Sequence, residues 1–418
     1  MRLWTQAYAQ SVQKQLRVEE KLESLPFFAE ECGYSKEVPQ LDGVKSALHA
    51  ENIIGTELLT SRRAISWPGA PHENQFIDAI CAMLEELCFE VEGGDPTLKN
   101  TPFLDADLYI LHWPDAIFVR RISKLKLWFY IARTIVHLFV LKLRGTRVIW
   151  FTHNLKPHSL RADQERAWRV LTWFLTRQID GWITLAPSTA DLVRQQYPAL
   201  KSKPHQHVWH PPYGSHYSGT KCEAREALGL HETALLFGHV GLLRSYKNLL
   251  PFARTFAEIA PEAAKLAFYG KAEPAIDAEL KTLASDRHDV TYHEGKLSSE
   301  DFDRALTAVD VFVAPYKNYL HSGTLIHALS RGCVVVTPNV PFGRDLQQAV
   351  GTDWVFLFDQ EADLTSDFLK RVESAVHANA GQRPDLAALE PKQNIEGLAH
   401  LLTTIGLTKT DLEMATIS

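Results

Sequence analysis

The sequence predicts an α/β protein of two Rossmann-like lobes facing a central cleft, with a helical N-terminal extension. Three observations predict it. At 418 residues the chain is too long for one ordinary core, and domains run to about 100–200 residues each. From Arg63 onward, short β-rich apolar runs alternate with helical patterns, the mark of βαβ units whose parallel strands are buried on both faces. The alternation breaks at His210-Pro211-Pro212-Tyr213-Gly214-Ser215, where prolines without N–H donors can continue neither a helix nor a central strand. With 45 % apolar and 22 % charged residues, and 21 Pro and 22 Gly dispersed along the chain, collagen-like, coiled-coil and wholly disordered readings are excluded.

The elements follow in order. Residues 1–60 read as an added cap of helices, Val12 to Leu22 and Val44 to Ala50, around a loop at Glu31 to Gln40. The first lobe, 61–209, has strands at Ala64–Trp67, Cys88–Val91, Asp107–His112, Val148–Thr152, Gly181–Leu185 and His207–Trp209. Phe76, Ile77, Ile80, Met83, Leu84 and Leu87 recur at helical spacing, as a helix covering one sheet face requires. The second lobe, 213–390, repeats the alternation with strands at Ala234–Val240, Lys265–Tyr269, Asp289–Tyr292, Val309–Ala314, Cys333–Thr337 and Trp354–Phe358. The last segment, 391–418, carries a helix over Asn394–Leu402 that is expected to cross back onto the first lobe.

Two segments of the second lobe are suited to phosphate. Gly238-His239-Val240-Gly241-Leu242-Leu243-Arg244-Ser245-Tyr246-Lys247-Asn248 runs from a strand through a glycine turn into the helix Leu249–Ile259. Gly241 lets backbone approach a diphosphate, Arg244 can grip it with two N–H groups and Lys247 adds a point charge. Alone, this is equally an ordinary strand-to-helix turn with two exposed cations. Further on, a strand ends at Pro315, Tyr316 follows, and Ser322-Gly323-Thr324 opens a helix closed by Gly332. The free N–H groups of such a start hold anions. Two phosphate-ready helix starts in one lobe point to a nucleotide diphosphate at the carboxyl ends of its strands.

This combination resembles the donor lobe of a GT-B glycosyltransferase. The wording Arg-x-Tyr-Lys-Asn and Tyr-Lys-Asn-x-x-x-Ser-Gly looks most like bacterial enzymes that build exopolysaccharide or other surface glycans. The resemblance implies a UDP- or GDP-sugar as donor substrate and no further cofactor. It places Gly241, Arg244 and Lys247 on the diphosphate, Ser322, Gly323 and Thr324 on phosphate or sugar, Tyr316 in the donor site and His327 at a ribose hydroxyl. The sequence departs from the pattern in one informative respect. Retaining members of the largest GT-B family carry two glutamates eight positions apart, and here Tyr319 and His327 occupy those places. Inversion of configuration is therefore favoured. Inversion requires a base in the first lobe to take the acceptor's proton.

Three residues compete for that role. His153, in Trp150-Phe151-Thr152-His153-Asn154, lies where a buried strand runs out at the sheet's carboxyl edge, and an imidazole titrates near neutrality. The same Thr-His-Asn wording occurs at the cleft edge in GT-B relatives. Glu73, in the loop Trp67 to Asn74, ranks second, and Asp115, in His112-Trp113-Pro114-Asp115, third; each is equally a helix cap or loop hydrogen-bonder. Asp105-Ala106-Asp107 matches the D-x-D metal motif of the other main glycosyltransferase fold but precedes a first-lobe strand, so no metal is expected. Arg244 and Lys247 would instead neutralise the leaving diphosphate.

The net charge of −6 argues against a nucleic-acid partner, yet it is unevenly distributed. From Ala116 to Ala162 there is no Asp or Glu against ten Lys and Arg, Arg120, Arg121, Lys124 and Lys126 among them. Leu127 to Leu141 is apolar but falls short of the ~20 residues of a spanning helix. A helix lying in the interface, with its cations on anionic headgroups and Trp128, Phe129 and Phe139 toward acyl chains, fits better than a sheet-covering helix with solvated flanks. A lipid-linked or oligosaccharide acceptor would account for the pattern. The N-terminus shows no basic and apolar secretory pattern, and five cysteines form no C-x-x-C pair. The expected location is cytoplasmic, peripheral on the inner face of the cytoplasmic membrane. Two rival readings are a nucleotide-sugar epimerase on the same scaffold and a non-catalytic nucleotide-sugar-binding membrane scaffold.

Overall fold

A computed structural model describes residues 62–72, 74–94, 105–119, 122–158, 160–230, 234–261, 264–317 and 319–407. The expected cap at 1–60, the candidate base Glu73, the cations Arg120 and Arg121, and the tail beyond 407 lie outside the described residues.

Two six-stranded sheets, each wholly parallel, organise the chain. The first is built from β1 (Arg62–Trp67), β2 (Phe89–Gly93), β3 (Leu108–Leu111), β4 (Arg147–Phe151), β5 (Gly181–Thr184) and β6 (His205–His207), in the order β2-β1-β3-β4-β5-β6. The second comprises β7 (Leu235–Val240), β8 (Ala264–Gly270), β9 (Val290–Glu294), β10 (Val311–Val313), β11 (Val334–Pro338) and β12 (Val355–Phe358), in the order β12-β11-β10-β7-β8-β9. Strands buried on both faces must be apolar throughout, and Leu108–Leu111, Gly181–Thr184 and Leu235–Val240 are buried at every position. The last first-lobe strand lies two residues earlier than expected, at His205–His207 rather than His207–Trp209.

In both sheets the chain reverses its direction of strand addition, between β1 and β3 and between β7 and β10. Neighbouring loops part at such a point and leave a crevice outside the carboxyl ends of the strands. The loops after β1, β3, β7 and β10 therefore flank the two crevices. These are the loops that carry most of the candidate site residues.

The helices that bear on the site are α1 (Gln75–Glu86), α2 (Lys124–Leu143), α3 (Glu165–Gln178), α4 (Thr189–Gln196), α5 (Leu249–Ile259), α6 (Ser299–Ala308), α7 (Gly323–Ser330), α8 (Pro341–Val350) and α9 (Pro391–Thr404). Asn74 caps α1, its Oδ1 accepting from Phe76 N, and the helix lays Phe76, Ile77, Ile80 and Leu84 on the first sheet. The C-terminal helix α9 packs Leu398, Leu401 and Leu402 into the same first-sheet cluster. Its Asn394 accepts from Trp209 N at 2.9 Å and anchors it to the end of the first lobe.

Candidate active site

The second-lobe crevice is built on glycine. Gly241, the residue after β7, has φ +121° and lies beside Gly270, with φ +135°, at the end of β8. A β-carbon on Gly270 would stand 2.0 Å from Gly241 O, so the two strand ends can meet only as bare backbone. The chain then turns through Ser245–Lys247 and the left-handed Asn248 into α5. Glu273 holds the turn, accepting from Ser245 N at 3.0 Å and from the Ser245 hydroxyl, and its other oxygen lies 3.7 Å from Arg244 Nη1. Lys247 folds back beneath. It is 6 % exposed, with Nζ 3.2 Å from His239 Nε2 and 5.3 Å from the centre of the Tyr316 ring. Burial, and then the charge of Arg244, lowers its ammonium pKa to about 7. Gly241, Arg244 and Lys247 thus share one turn at the second sheet's crevice, while Tyr316, itself buried, forms a wall under Lys247.

The second phosphate-ready segment opens α7 with Ser322 as N-cap, its side chain leaving the helix N–H groups uncapped. Gly323 is required for a reason the sequence did not reveal. A β-carbon there would lie 2.6 Å from Tyr213 Oη and 2.7 Å from His210 Nε2, so the start of α7 is pressed against the linker between the lobes. Thr324 follows in the first turn, partly exposed.

His327, expected at a ribose hydroxyl, is packed against the second lobe and the linker. Its Nε2 lies 2.5 Å from Asp303 Oδ1, and its ring is stacked on Tyr213 at 4.3 Å and packed on Phe302. Asp303 is fully buried on α6 and also accepts from His216 N at 2.6 Å. This imidazole therefore fastens the linker to the second lobe, through its hydrogen bond to Asp303 and its stack on Tyr213. Tyr319, in the place of the other glutamate, bonds Thr337 Oγ1 at 2.7 Å.

In the first lobe the loop after β4 carries His153 into a cluster of rings. Trp113 stacks on it at 4.3 Å, and Phe76 meets it edge-on at 5.2 Å. Its tautomer follows from a chain of hydrogen bonds. Ser66 Oγ donates to Pro68 O at 2.6 Å, so it must accept from His112 Nε2, 3.3 Å away. His112 Nδ1 is then an acceptor for His153 Nε2–H at 3.2 Å, which leaves the lone pair of neutral His153 on Nδ1. Burial, then His112, His321 and His210, holds the His153 pKa well below the usual imidazole range. Asp115 moves the opposite way. Its carboxyl accepts from Asn154 Nδ2 at 3.2 Å, and burial pushes it up to about 6. Neither Ser66 nor His112 was singled out by sequence. Asp107 accepts from Arg63 N at 2.9 Å at the amino end of β3, away from the carboxyl-edge loops.

The two lobes meet at defined places. Asp345 of α8 accepts from Ser188 N at 2.7 Å and Ser188 Oγ at 2.6 Å, and His321 Nε2 lies 2.8 Å from Thr189 Oγ1 at the start of α4. Five residues after His153, His158 stacks on Tyr246 inside the Ser245–Lys247 turn. The β4 loop thereby touches the turn that bears Arg244 and Lys247.

The basic segment proves to be two-sided. Leu127, Ile131, Leu138 and Leu141 of α2 pack into the first-lobe core, while Leu125 (83 % exposed), Trp128, Phe129, Val136, Phe139 and Leu143 (72 %) face outward. Trp173 of the adjacent α3 joins them. Lys142 and Arg147 share the single carboxylate of Asp180, and Arg161 and Lys124 share that of Asp163, which offsets part of the segment's charge. Among the described residues no helix is long and apolar enough to cross a membrane.

Comparison with known proteins agrees with this geometry. Residues 234–376, the greater part of the second lobe, match the family model for glycosyl transferases group 1. Over 322 residues the chain is 29 % identical to the GDP-mannose:glycolipid 4-beta-D-mannosyltransferase of Xanthomonas campestris pv. campestris, covering 76 % of this chain and 83 % of that one. The chain is a GT-B glycosyltransferase. Its fold is similar to that of Anabaena HepE solved with UDP and glucose (TM-score 0.55, 12 % identity, 82 % of this chain and 100 % of that one). It is also similar to the sucrose-phosphate synthase of Thermosynechococcus elongatus (TM-score 0.52, 14 % identity, 85 % and 97 %). In this glycosyltransferase the group 1 match contains the glycine turn, Arg244, Lys247 and the start of α7.

Proposed function

We propose that this glycosyltransferase moves a sugar, with GDP-mannose as the first donor to test, onto a lipid-linked acceptor in the assembly of a bacterial surface polysaccharide. The donor and acceptor are suggested by the Xanthomonas relative, which is a GDP-mannose:glycolipid enzyme. The observation that carries the reading is the contact between the β4 loop and the diphosphate turn, His158 on Tyr246. It brings the loop bearing the candidate base next to the cations that would receive the leaving group.

In this reading the acceptor hydroxyl attacks the anomeric carbon in line with the departing diphosphate. His153 Nδ1 takes the hydroxyl proton as the new glycosidic bond forms. The bond to the diphosphate breaks with both electrons, and Arg244 and Lys247, with the start of α7, neutralise the charge that develops. A β product from an α-linked sugar nucleotide corresponds to the inversion that the missing glutamates favour. The reaction as drawn needs no metal ion. The exposed apolar face of α2 and Trp173 would rest on the membrane beside Lys124 and Lys126, near a lipid-anchored acceptor.

The deciding experiment incubates the full chain with UDP- and GDP-sugars, with and without a lipid-linked oligosaccharide. Release of nucleoside diphosphate only when acceptor is present supports the proposal. Conversion of the sugar nucleotide without acceptor would favour the epimerase reading, and nucleotide binding without turnover the scaffold.

A further inference from the structure

A histidine in the middle of a fully buried central strand is costly unless both ring nitrogens are satisfied. His239 is such a residue, at 0 % exposure in β7. The ladder between β7 and β10 ends at the pairs Val311 with Phe237 and Phe312 with Gly238. One residue beyond, the strands part to open the crevice, and His239 fills the split. Its Nδ1–H donates to Val313 O at 2.8 Å, which makes Nε2 an acceptor. The group bonded to that acceptor is the ammonium of Lys247, at 3.2 Å.

Lys247 is therefore a buried lysine held by a neutral imidazole. Around it stand His239, the Tyr316 ring, and the charged or titratable Arg244 and His158 from the turn and the opposite lobe. Among the described residues its ammonium makes no ion pair with a carboxylate, whereas Arg244 leans on Glu273. An imidazole acceptor orients the lysine without neutralising it, and two N–H groups remain for an anion.

We propose that His239 is a positioning residue for the donor diphosphate: it aims the Lys247 ammonium into the crevice and keeps its charge uncommitted until phosphate arrives. The proposal rests on the reading of this turn as the donor site. A carboxylate at 239 would hold the lysine but cancel it, and an aliphatic residue would leave both the lysine and Val313 O without a partner.

Calorimetric titration of the full chain with GDP and with UDP, from pH 6 to 9, tests this in His239→Leu, His239→Gln, Lys247→Met and the His239→Leu/Lys247→Met double variant. His239→Leu should weaken binding of the better nucleotide by about tenfold, the scale of one charge-assisted hydrogen bond. His239→Gln, which retains an acceptor, should restore most of it. In the Lys247→Met background His239→Leu should cost little more, since the histidine acts through the lysine. Above pH 7, where the nucleotide's terminal phosphate is already ionised, the pH dependence of binding should also shift in His239→Leu and flatten in Lys247→Met. Equal losses from His239→Leu with and without Lys247 would show a merely structural histidine and overturn the proposal. If Lys247→Met leaves nucleotide binding unchanged, the donor-site reading itself fails. Should His239→Leu not fold, His239→Gln and the pH profiles decide alone: an unshifted profile in His239→Gln with binding lost would count against the role.

Discussion

His158 of the first lobe lies flat on Tyr246 of the second, with ring centroids 4.0 Å apart and planes 4° from parallel. Tyr246 is flanked in sequence by Ser245 and Lys247, so the stack joins the two lobes at the turn proposed to hold the donor diphosphate. Burial in this contact, then Lys247 and Arg244, lowers the His158 pKa to about 4, which keeps the ring neutral and free to stack at physiological pH. A stacked pair contributes about 0.5–1.5 kcal/mol beyond its buried area. His158→Ala should therefore raise the donor KM by roughly 2–10-fold, while His158→Phe stays close to wild type. Initial rates at varied donor concentration measure it, and an unchanged KM in His158→Ala would mean that the lobes close without the stack.

The two described candidates for the base predict different pH profiles. In the free enzyme His153 is held well below the usual imidazole range, by burial first and then by its neighbouring histidines. If it is the base, kcat/KM should persist as pH falls through 6.5, because the deprotonated form survives. If Asp115 is the base, kcat/KM should fall with a midpoint at about 6. Asp115→Asn would then abolish activity, whereas His153→Gln would spare much of it. With His153 as base, His153→Gln should lower kcat by ~10²–10⁴.

Stability should fall on mild acidification, because several histidines are buried in neutral form. Burial lowers the pKa of His112 to about 3, His321 to about 3 and His210 to about 4. The unfolded chain protonates these groups near the ordinary imidazole value, so below it U binds more protons than N, and stability decreases as pH drops from about 6.5 toward the folded values. Thermal unfolding at pH 7.5 and pH 5, where ordinary carboxylates remain ionised, should show a lower Tm at pH 5. An equal Tm at both would mean that these rings are solvated.

Gly323→Ala tests how tightly α7 is seated. The new β-carbon would meet Tyr213 Oη and His210 Nε2 at 2.6 and 2.7 Å. Neither ring can easily retreat, since Tyr213 is stacked on His327 at 4.3 Å and His210 packs at a tilt against Phe76 at 4.7 Å. Overpacking of this kind costs about 1–3 kcal/mol. A lower Tm together with weaker nucleotide binding is expected; an unaltered Tm would show that the linker yields.

The sheets were legible because parallel strands buried on both faces must be apolar throughout, and only β6 was misplaced. Its sequence, His-Gln-His, carries no such signal, since it sits at the sheet's edge and is half-buried. That Gly241, Arg244 and Lys247 share one turn was legible for a related reason: they lie within a few residues of each other. What pairs across sequence was not. Asp303 meets His327 from 24 residues away, and Ser66, His112 and His153 form one chain across three loops. His239 reads as a strand residue until Lys247 is seen to fold back on it. Trp173 escaped notice because the buried stripe Ala167, Trp168, Leu171 and Leu175 dominates the pattern of α3.

The outward face of α2 is the remaining feature that needs a partner. A helix that only covers a sheet places polar residues outside, yet here Leu125, Phe129, Val136, Phe139 and Leu143 project beside Trp173 on α3. Each large apolar side chain moved from water into lipid is worth about 1.5–3 kcal/mol when fully buried, and each cation near an anionic surface adds about 1 kcal/mol. Lys142 and Arg147 share Asp180, and Lys124 lies 4.0 Å from Asp163, so Lys126, with Lys124 where that loose pair opens, would be the cations at the N-terminal end of α2 to meet headgroups in the proposed orientation. Flotation with vesicles containing anionic lipid should carry the protein upward, and flotation with neutral vesicles much less. Phe129→Asp combined with Phe139→Asp should abolish it. Lys124→Glu with Lys126→Glu should weaken it only on anionic vesicles. Binding that ignores lipid charge would remove the electrostatic half of the surface, and absence of flotation in both, with glycolipid transfer intact, would remove the surface altogether.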